Sequence, residues 1–290
     1  MRKFVLYLGF VFLSTMAVSC AGIFESGLIE KLEIPDRALF IGNSLLLGNG
    51  TFGMNATDSE HDYHAIIQRK FLKVNPAYTD VKLSGVDFEA CESQSQQEAW
   101  LEGTLRPVLR GDLDLVVIQL GDNVNTSKKK DVFERGAKSL IGMIKDYAPR
   151  AHVVWIYGWY SSSSVAKSIT NACKQYGVTR VGITDLNTAD NESSIGTVVT
   201  LAEPTTQALN YTRYTQLSGS RLQIEFDVHG ENYSAIVRVM DYNDDVESHT
   251  LTWRGYEMVT TDKDIASHPG NRGFEAIAQR FCEILSIDIK

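Results

Sequence analysis

The sequence predicts an α/β protein: a three-layer sandwich with helices on both faces of a central parallel sheet, and a β-rich insertion late in the chain. Three observations carry that expectation. Short apolar runs such as Leu39-Phe40-Ile41, Leu115-Val116-Val117-Ile118 and Val153-Val154-Trp155-Ile156 end in glycine or polar turns, as buried strands do. Between them lie stretches with apolar residues three and four apart, and strands alternating with helices of this length give a parallel sheet covered on both sides. From about residue 197 to 260 the period changes to two, the signature of half-buried antiparallel strands.

At 290 residues the chain is long enough for one large domain with an insertion. An apolar fraction of 43% and a charged fraction of 22% are ordinary for a globular protein. The net charge of −8 argues against a nucleic-acid surface, which carries a basic stripe.

Pro35 precedes the first strand, which runs from Arg37 to Gly42 and opens onto Asn43-Ser44 and the glycine-bearing stretch Gly48-Asn49-Gly50. A helix is expected over about 61–74, with Ile67, Phe71 and Val74 on one face. His61 and His64 at its start have no third ligand at useful spacing and read as solvated, so no metal site is expected. A short strand follows over 81–88, then a helix over 94–109. The strand 114–120 delivers Gly121-Asp122-Asn123. Phe133, Ala137, Leu140 and Ile144 define a helix over 132–147, stopped before Pro149. Strand 152–157, a helix over 165–176 and strand 179–183 complete the repeat.

Leu222-Gln223-Ile224-Glu225-Phe226-Asp227-Val228 alternates strictly, and the insertion is read as three strands, 222–228, 234–240 and 249–253, with a turn at 243–245. Its aromatic residues (Tyr211, Tyr214, Tyr233, Tyr242, Trp253 and Tyr256) suit either stacking on sugar rings or the insertion's own small core. A last amphipathic helix begins near Asn271 and carries Phe274, Ile277, Ala278, Phe281 and Leu285.

Three polar blocks sit where α/β folds place reactive groups. They are Gly42-Asn43-Ser44-Leu45 after the first strand, Gly121-Asp122-Asn123 after the strand 114–120, and Ser267-His268-Pro269 before the last helix. In that order they resemble the SGNH (GDSL-type) hydrolase superfamily, across roughly residues 37–190 and 264–285. Gly53-Met54-Asn55-Ala56 and Asp62-Tyr63 also resemble a secreted bacterial subgroup of it. The resemblance implies a flavodoxin-like sandwich and acyl transfer by serine, with Ser44 as nucleophile, His268 as base and Asn123 as an oxyanion donor. It implies no cofactor.

Two departures from the pattern stand out. Ser84-Gly85-Val86-Asp87-Phe88-Glu89-Ala90 has no clean match to the family's second block, so the second oxyanion donor is assigned to the N–H of Ala90 at the expected strand tip. The family's aspartate three residues before the histidine is Ile265 here, which leaves Asp264, displaced by one, as the candidate third member, with Asp262 or a main-chain carbonyl as alternatives.

Residues 1–19 read as a lipoprotein signal peptide: Arg2-Lys3, then an uncharged run too short to span a bilayer. Ala17-Val18-Ser19-Cys20 resembles a lipobox, which makes Cys20 the lipidation site. Residues 20–36 are then a linker and 37–290 the hydrolase domain. Cys91, Cys173 and Cys282 are scattered and suggest buried thiols rather than a disulfide framework. The expected function is a serine esterase held by the Cys20 lipid in the bacterial envelope, at the outer membrane or cell surface. Its expected substrate is a small ester or an acylated glycan. The competing expectation is an inactive scaffold that binds carbohydrate.

Overall fold

The computed structural model describes residues 32–287, so the leader, Cys20 and the first part of the linker lie outside the described residues. Five parallel strands form the central sheet: β1 (Arg37–Gly42), β2 (Thr79–Ser84), β3 (Leu115–Gln119), β4 (His152–Tyr157) and β5 (Thr179–Gly182). Their order is β2-β1-β3-β4-β5, the flavodoxin-like arrangement.

The period of two along each strand sorts the core into two halves. Ala38, Phe40, Leu115, Val117, Val154 and Ile156 face one way and pack with α1 (Ser44–Leu47), α2 (Tyr63–Val74) and the final helix, α8 (Asn271–Ile284). Leu39, Ile41, Val116, Ile118, Val153 and Trp155 face the other way. They meet α3 (Val86–Ala90), α4 (Gln94–Trp100), α5 (Ser127–Tyr147) and α6 (Ser163–Tyr176). Because β1 and β3 are neighbours whose chains leave to opposite faces, their carboxyl ends open a crevice. Ser44 follows β1 and Asn123 follows β3, which puts both residues at that crevice.

Several boundaries differ from expectation, each for a local reason. The strand expected over 81–88 ends at Ser84, and 86–90 is helix α3. The apolar alternation of Val86 and Phe88 suggested strand, but Phe88 is buried beside Trp100 and Phe133 while Val86 is exposed. Ala90 therefore ends a helix instead of a strand, and it is exposed. Helix α4 stops at Trp100, where a wider turn over 101–105 leads into a short turn carrying Pro107, which has no N–H to continue the ladder. Helix α5 begins five residues before its expected start, at Ser127, because Thr126 caps it by accepting from the Lys129 N–H at 3.3 Å.

His64 is not solvated: it is 3% exposed, with Nε2 3.1 Å from Asp80 Oδ2. His61 lies ahead of α2 and contacts Asp58 at 2.6 Å. Cys91, Cys173 and Cys282 are free and buried. No described helix is long and apolar enough to cross a membrane.

The insertion holds six strands: β6 (Val198–Asn210), β7 (Arg213–Leu217), β8 (Arg221–Val228), β9 (Glu231–Arg238), β10 (Asp241–Asp245) and β11 (Thr250–Val259). They form two antiparallel sheets, β10-β11-β6 and β7-β8-β9, around Leu222, Ile224, Phe226, Val237, Leu251 and Trp253. The turn expected at 243–245 is part of the edge strand β10, whose Asn243-Asp244-Asp245 keeps an exposed edge polar. Tyr211 and Tyr214 both donate to Asp244 and meet edge to face, and Trp253 is buried, so these three serve the insertion's own packing. The chain enters and leaves the insertion at one point, where the Thr260 N–H donates to the Thr197 carbonyl at 2.9 Å.

Candidate active site

Ser44 is the first residue of α1, immediately beyond β1. The turn is tight: a Cβ on Gly42 would lie 2.6 Å from the Leu46 side chain, so only glycine lets the helix fold back this closely. Asn43 caps α1, with its Oδ1 accepting the Leu45 N–H at 3.1 Å, and its Nδ2 donates to Glu89 Oε1 at 3.2 Å. As a first-turn residue, Ser44 has a main-chain N–H without a partner inside the helix.

The structure brings Ser44 and His268 together across the crevice. Ser44 Oγ lies 3.0 Å from His268 Nε2, within reach for proton transfer. His268 follows α7 (Lys263–Ala266), which Asp262 caps by accepting from the N–H groups of Asp264 and Ile265. The other ring nitrogen, Nδ1, faces the main-chain carbonyls of Ile265 at 3.0 Å and Asp264 at 3.2 Å. Two carbonyls there fix Nδ1 as the protonated nitrogen and leave Nε2 free to accept. Burial depresses the His268 pKa below its ordinary value, more strongly than the two carbonyls raise it, so the ring is neutral near pH 7.

Asp264 therefore meets the ring through its backbone, while the carboxylate of Asp262 is engaged in capping α7. The displacement by one residue explains this. A short helix ahead of the histidine turns its last carbonyls toward the ring, where a carboxylate three residues upstream would otherwise reach.

Asn55 supports the same corner. It is 2% exposed, adopts a left-handed backbone (φ 66°), and donates through Nδ2 to the Ile265 carbonyl. Its Oδ1 accepts from Thr260 Oγ1 at 2.8 Å. Above the ring, Tyr160 meets His268 edge to face at 5.2 Å, and its hydroxyl lies 2.9 Å from Ser267 Oγ. Trp159 Nε1 donates to the Ser267 carbonyl at 3.1 Å. Asp122 anchors this wall by accepting the Tyr160 N–H and the Ser161 hydroxyl, each at 2.9 Å.

The floor of the crevice contains a group that the sequence motifs did not flag. Glu89, 1% exposed, accepts from Gly121 N (2.5 Å), Asn123 N (3.3 Å) and Asn43 Nδ2 through Oε1, and from Asn123 Nδ2 (2.7 Å) through Oε2. Gly121 takes φ +126°, a conformation suited to glycine, which lets its N–H and that of Asn123 converge on one carboxylate oxygen. Phe88 beside it carried an apolar signal; Glu89, one of two acids in that short helix with Asp87, carried none.

No protein-family model and no curated protein matches the chain. Solved structures overlap it in part. A GDSL-like lipase candidate from Bacteroides uniformis shares 17% identity with a TM-score of 0.39, covering 53% of this chain and 85% of its own. An acetyl xylan esterase from Butyrivibrio proteoclasticus shares 15% identity at a TM-score of 0.37, covering 53% and 57%. A family two carbohydrate esterase from Clostridium thermocellum shares 19% identity at 0.36, covering 51% and 53%. Overlaps this loose carry no functional weight, so the chemistry is read from the site itself.

Proposed function

We propose that the protein is a serine ester hydrolase of SGNH type that acts outside the cytoplasm on acyl or acetyl esters, including those of carbohydrates. The observation that carries this reading is the 3.0 Å approach of Ser44 Oγ to a histidine nitrogen whose partner nitrogen is held by carbonyls. His268 removes the Ser44 proton as the hydroxyl attacks the ester carbonyl. The Ser44 N–H and the Asn123 amide then stabilise the oxyanion. His268 returns the proton to the departing alcohol, and water releases the acyl group by the same steps in reverse.

The carbohydrate part rests on the insertion. A cleft of about 740 Å³ separates its β8–β9 hairpin (His229, Glu231, Tyr233) from the segment that leads to the catalytic histidine (Lys263, Asp264, Ser267). In that cleft Tyr233, His229, Glu231 and Lys263 offer a polyhydroxylated alcohol a ring and hydrogen-bonding groups, beside the apolar Ile195, Val228 and Ala266. Placement in the envelope through Cys20 rests on the lipobox-like sequence alone.

The test is acetate release from a panel of acetylated polysaccharides and from an aryl acetate, by wild type and Ser44→Ala. Ser44-dependent release from both substrate types supports the reading. Release that survives Ser44→Ala rejects it.

A further inference from the structure

We propose that Glu89 is the positioning residue of the oxyanion hole: its buried carboxylate holds Asn123 and Gly121 in register with the Ser44 turn, and the ionised form is the one that supports turnover. This rests on the esterase reading above and assigns a role that the Ser-His pair and Asn123 do not themselves supply.

The geometry is that of an anion held only by donors. Four N–H groups from three places, Asn43 before the nucleophile and Gly121 and Asn123 after β3, converge on two oxygens. An ionised carboxylate is acceptor-only and satisfies all four; a protonated one must point a hydrogen at a group that also donates. A proton on Oε2 would face the Asn123 amide N–H at 2.7 Å, so that amide would have to turn or withdraw. A proton on Oε1 would instead break the cluster that ties the Ser44 turn to the end of β3. Either event moves the donor that meets the oxyanion.

Among the described residues no cation meets the carboxylate. Asp122, in the loop after β3, adds negative charge and is itself held by Gln119 Nε2 at 2.9 Å. Lys129 of α5 is engaged with the Asn123 carbonyl at 3.2 Å. Asp87 and Cys91 lie on the same stretch as Glu89, and His268 stands across the crevice, neutral. Burial, with Asp122 adding to it, lifts the Glu89 pKa to about 7 against the donors that lower it, so its charge changes in the working range of an esterase.

Glu89 therefore sets the acidic limb of kcat/KM, in place of His268, whose pKa is depressed. In wild type the limb should fall near pH 7. In Glu89→Gln, kcat should drop by about 10- to 100-fold with KM within about threefold, the pattern for a lost transition-state contact. The residual limb should move to lower pH, to His268 alone. Combined with Asn123→Ala, the Glu89→Gln cost should shrink, because the two share the Asn123 donor while Gly121 and Asn43 still depend on Glu89.

Should Glu89→Gln fail to fold, Asn123→Ala gives the answer: it keeps Glu89 but removes a donor that lowers its pKa, so its limb should move to higher pH than in wild type. A Glu89→Gln enzyme with wild-type kcat and limb, or an equal cost in the Asn123→Ala background, overturns the proposal. So does a limb in Asn123→Ala that stays at or falls below the wild-type pH. All are read where Ser44→Ala removes activity; if wild type shows no Ser44-dependent turnover, it is the esterase reading that fails, and this proposal fails with it.

Discussion

His268 Nδ1 lies 3.0 Å from the main-chain carbonyl of Ile265, in the place where a Ser-His-Asp triad puts a carboxylate. A carbonyl dipole fixes the tautomer and the ring orientation, but it stabilises the imidazolium formed during attack less than a full negative charge does. On the proposed reading Ser44 and His268 form a dyad with a backbone orienter, braced by Asn55 on the same carbonyl.

The first consequence concerns Asp264. Its carbonyl, which any residue retains, is what touches the ring. Asp264→Asn should therefore lower kcat by less than about threefold, far short of the roughly 10⁴ seen when a true triad aspartate is changed. Steady-state kinetics on an aryl acetate decide it, and a loss near that of His268→Ala would assign the carboxylate to the triad.

Asn123→Ala should reduce kcat by about 10²–10³ with little change in KM, the scale of one oxyanion donor. A change confined to KM would make Asn123 a substrate-positioning group.

Glu89 carries a stability consequence opposite in sign to its proposed function. Its pKa is raised from 4.5 to about 7 in the folded state, so between those values the native protein binds more protons than the unfolded chain. Stability from this group is complete below about pH 4.5 and is lost as pH rises through 7, by on the order of 3 kcal/mol. Urea unfolding of wild type and Glu89→Gln at pH 5 and pH 8 checks this: the difference should shift toward the Gln variant at pH 8. An unchanged difference would mean that Glu89 does not titrate across this range.

Much of this site was legible in the sequence, and the parts that were not have physical reasons. Ser44, Asn123 and His268 follow strands or precede a helix whose apolar runs announce themselves, so the fold's rules placed them at one crevice. The sheet order and both helix layers follow from the same runs. Glu89 was invisible because a buried acid has no period; only the three-dimensional convergence of the N–H groups of Gly121 and Asn123 with the Asn43 amide reveals it. Ala90 was misplaced because Val86 and Phe88 alternate like a strand while forming a turn of helix. Strands β6 and β7 were missed because most of their residues are exposed or half exposed, so burial leaves little pattern on them.

The insertion should be separable from the chemistry. Its ends meet at Thr197 and Thr260, and no group proposed to act on the ester lies inside it. Replacing residues 198–259 with a short linker should cost an aryl acetate little and an acetylated polysaccharide at least about tenfold, roughly the 1.4 kcal/mol of a modest alcohol contact. Rates on both substrates, with circular dichroism to confirm folding, provide the comparison. Equal losses would give the insertion a part in building the catalytic corner.

The assignment of Ser44 as nucleophile and His268 as its base is tested most directly by peptide mass spectrometry after treatment with a fluorophosphonate. One adduct is expected, on the peptide that contains Ser44, formed at least about 10²-fold more slowly in His268→Ala and absent in Ser44→Ala, in step with the loss of ester hydrolysis. An adduct on another residue, or hydrolysis that persists in Ser44→Ala, would contradict it.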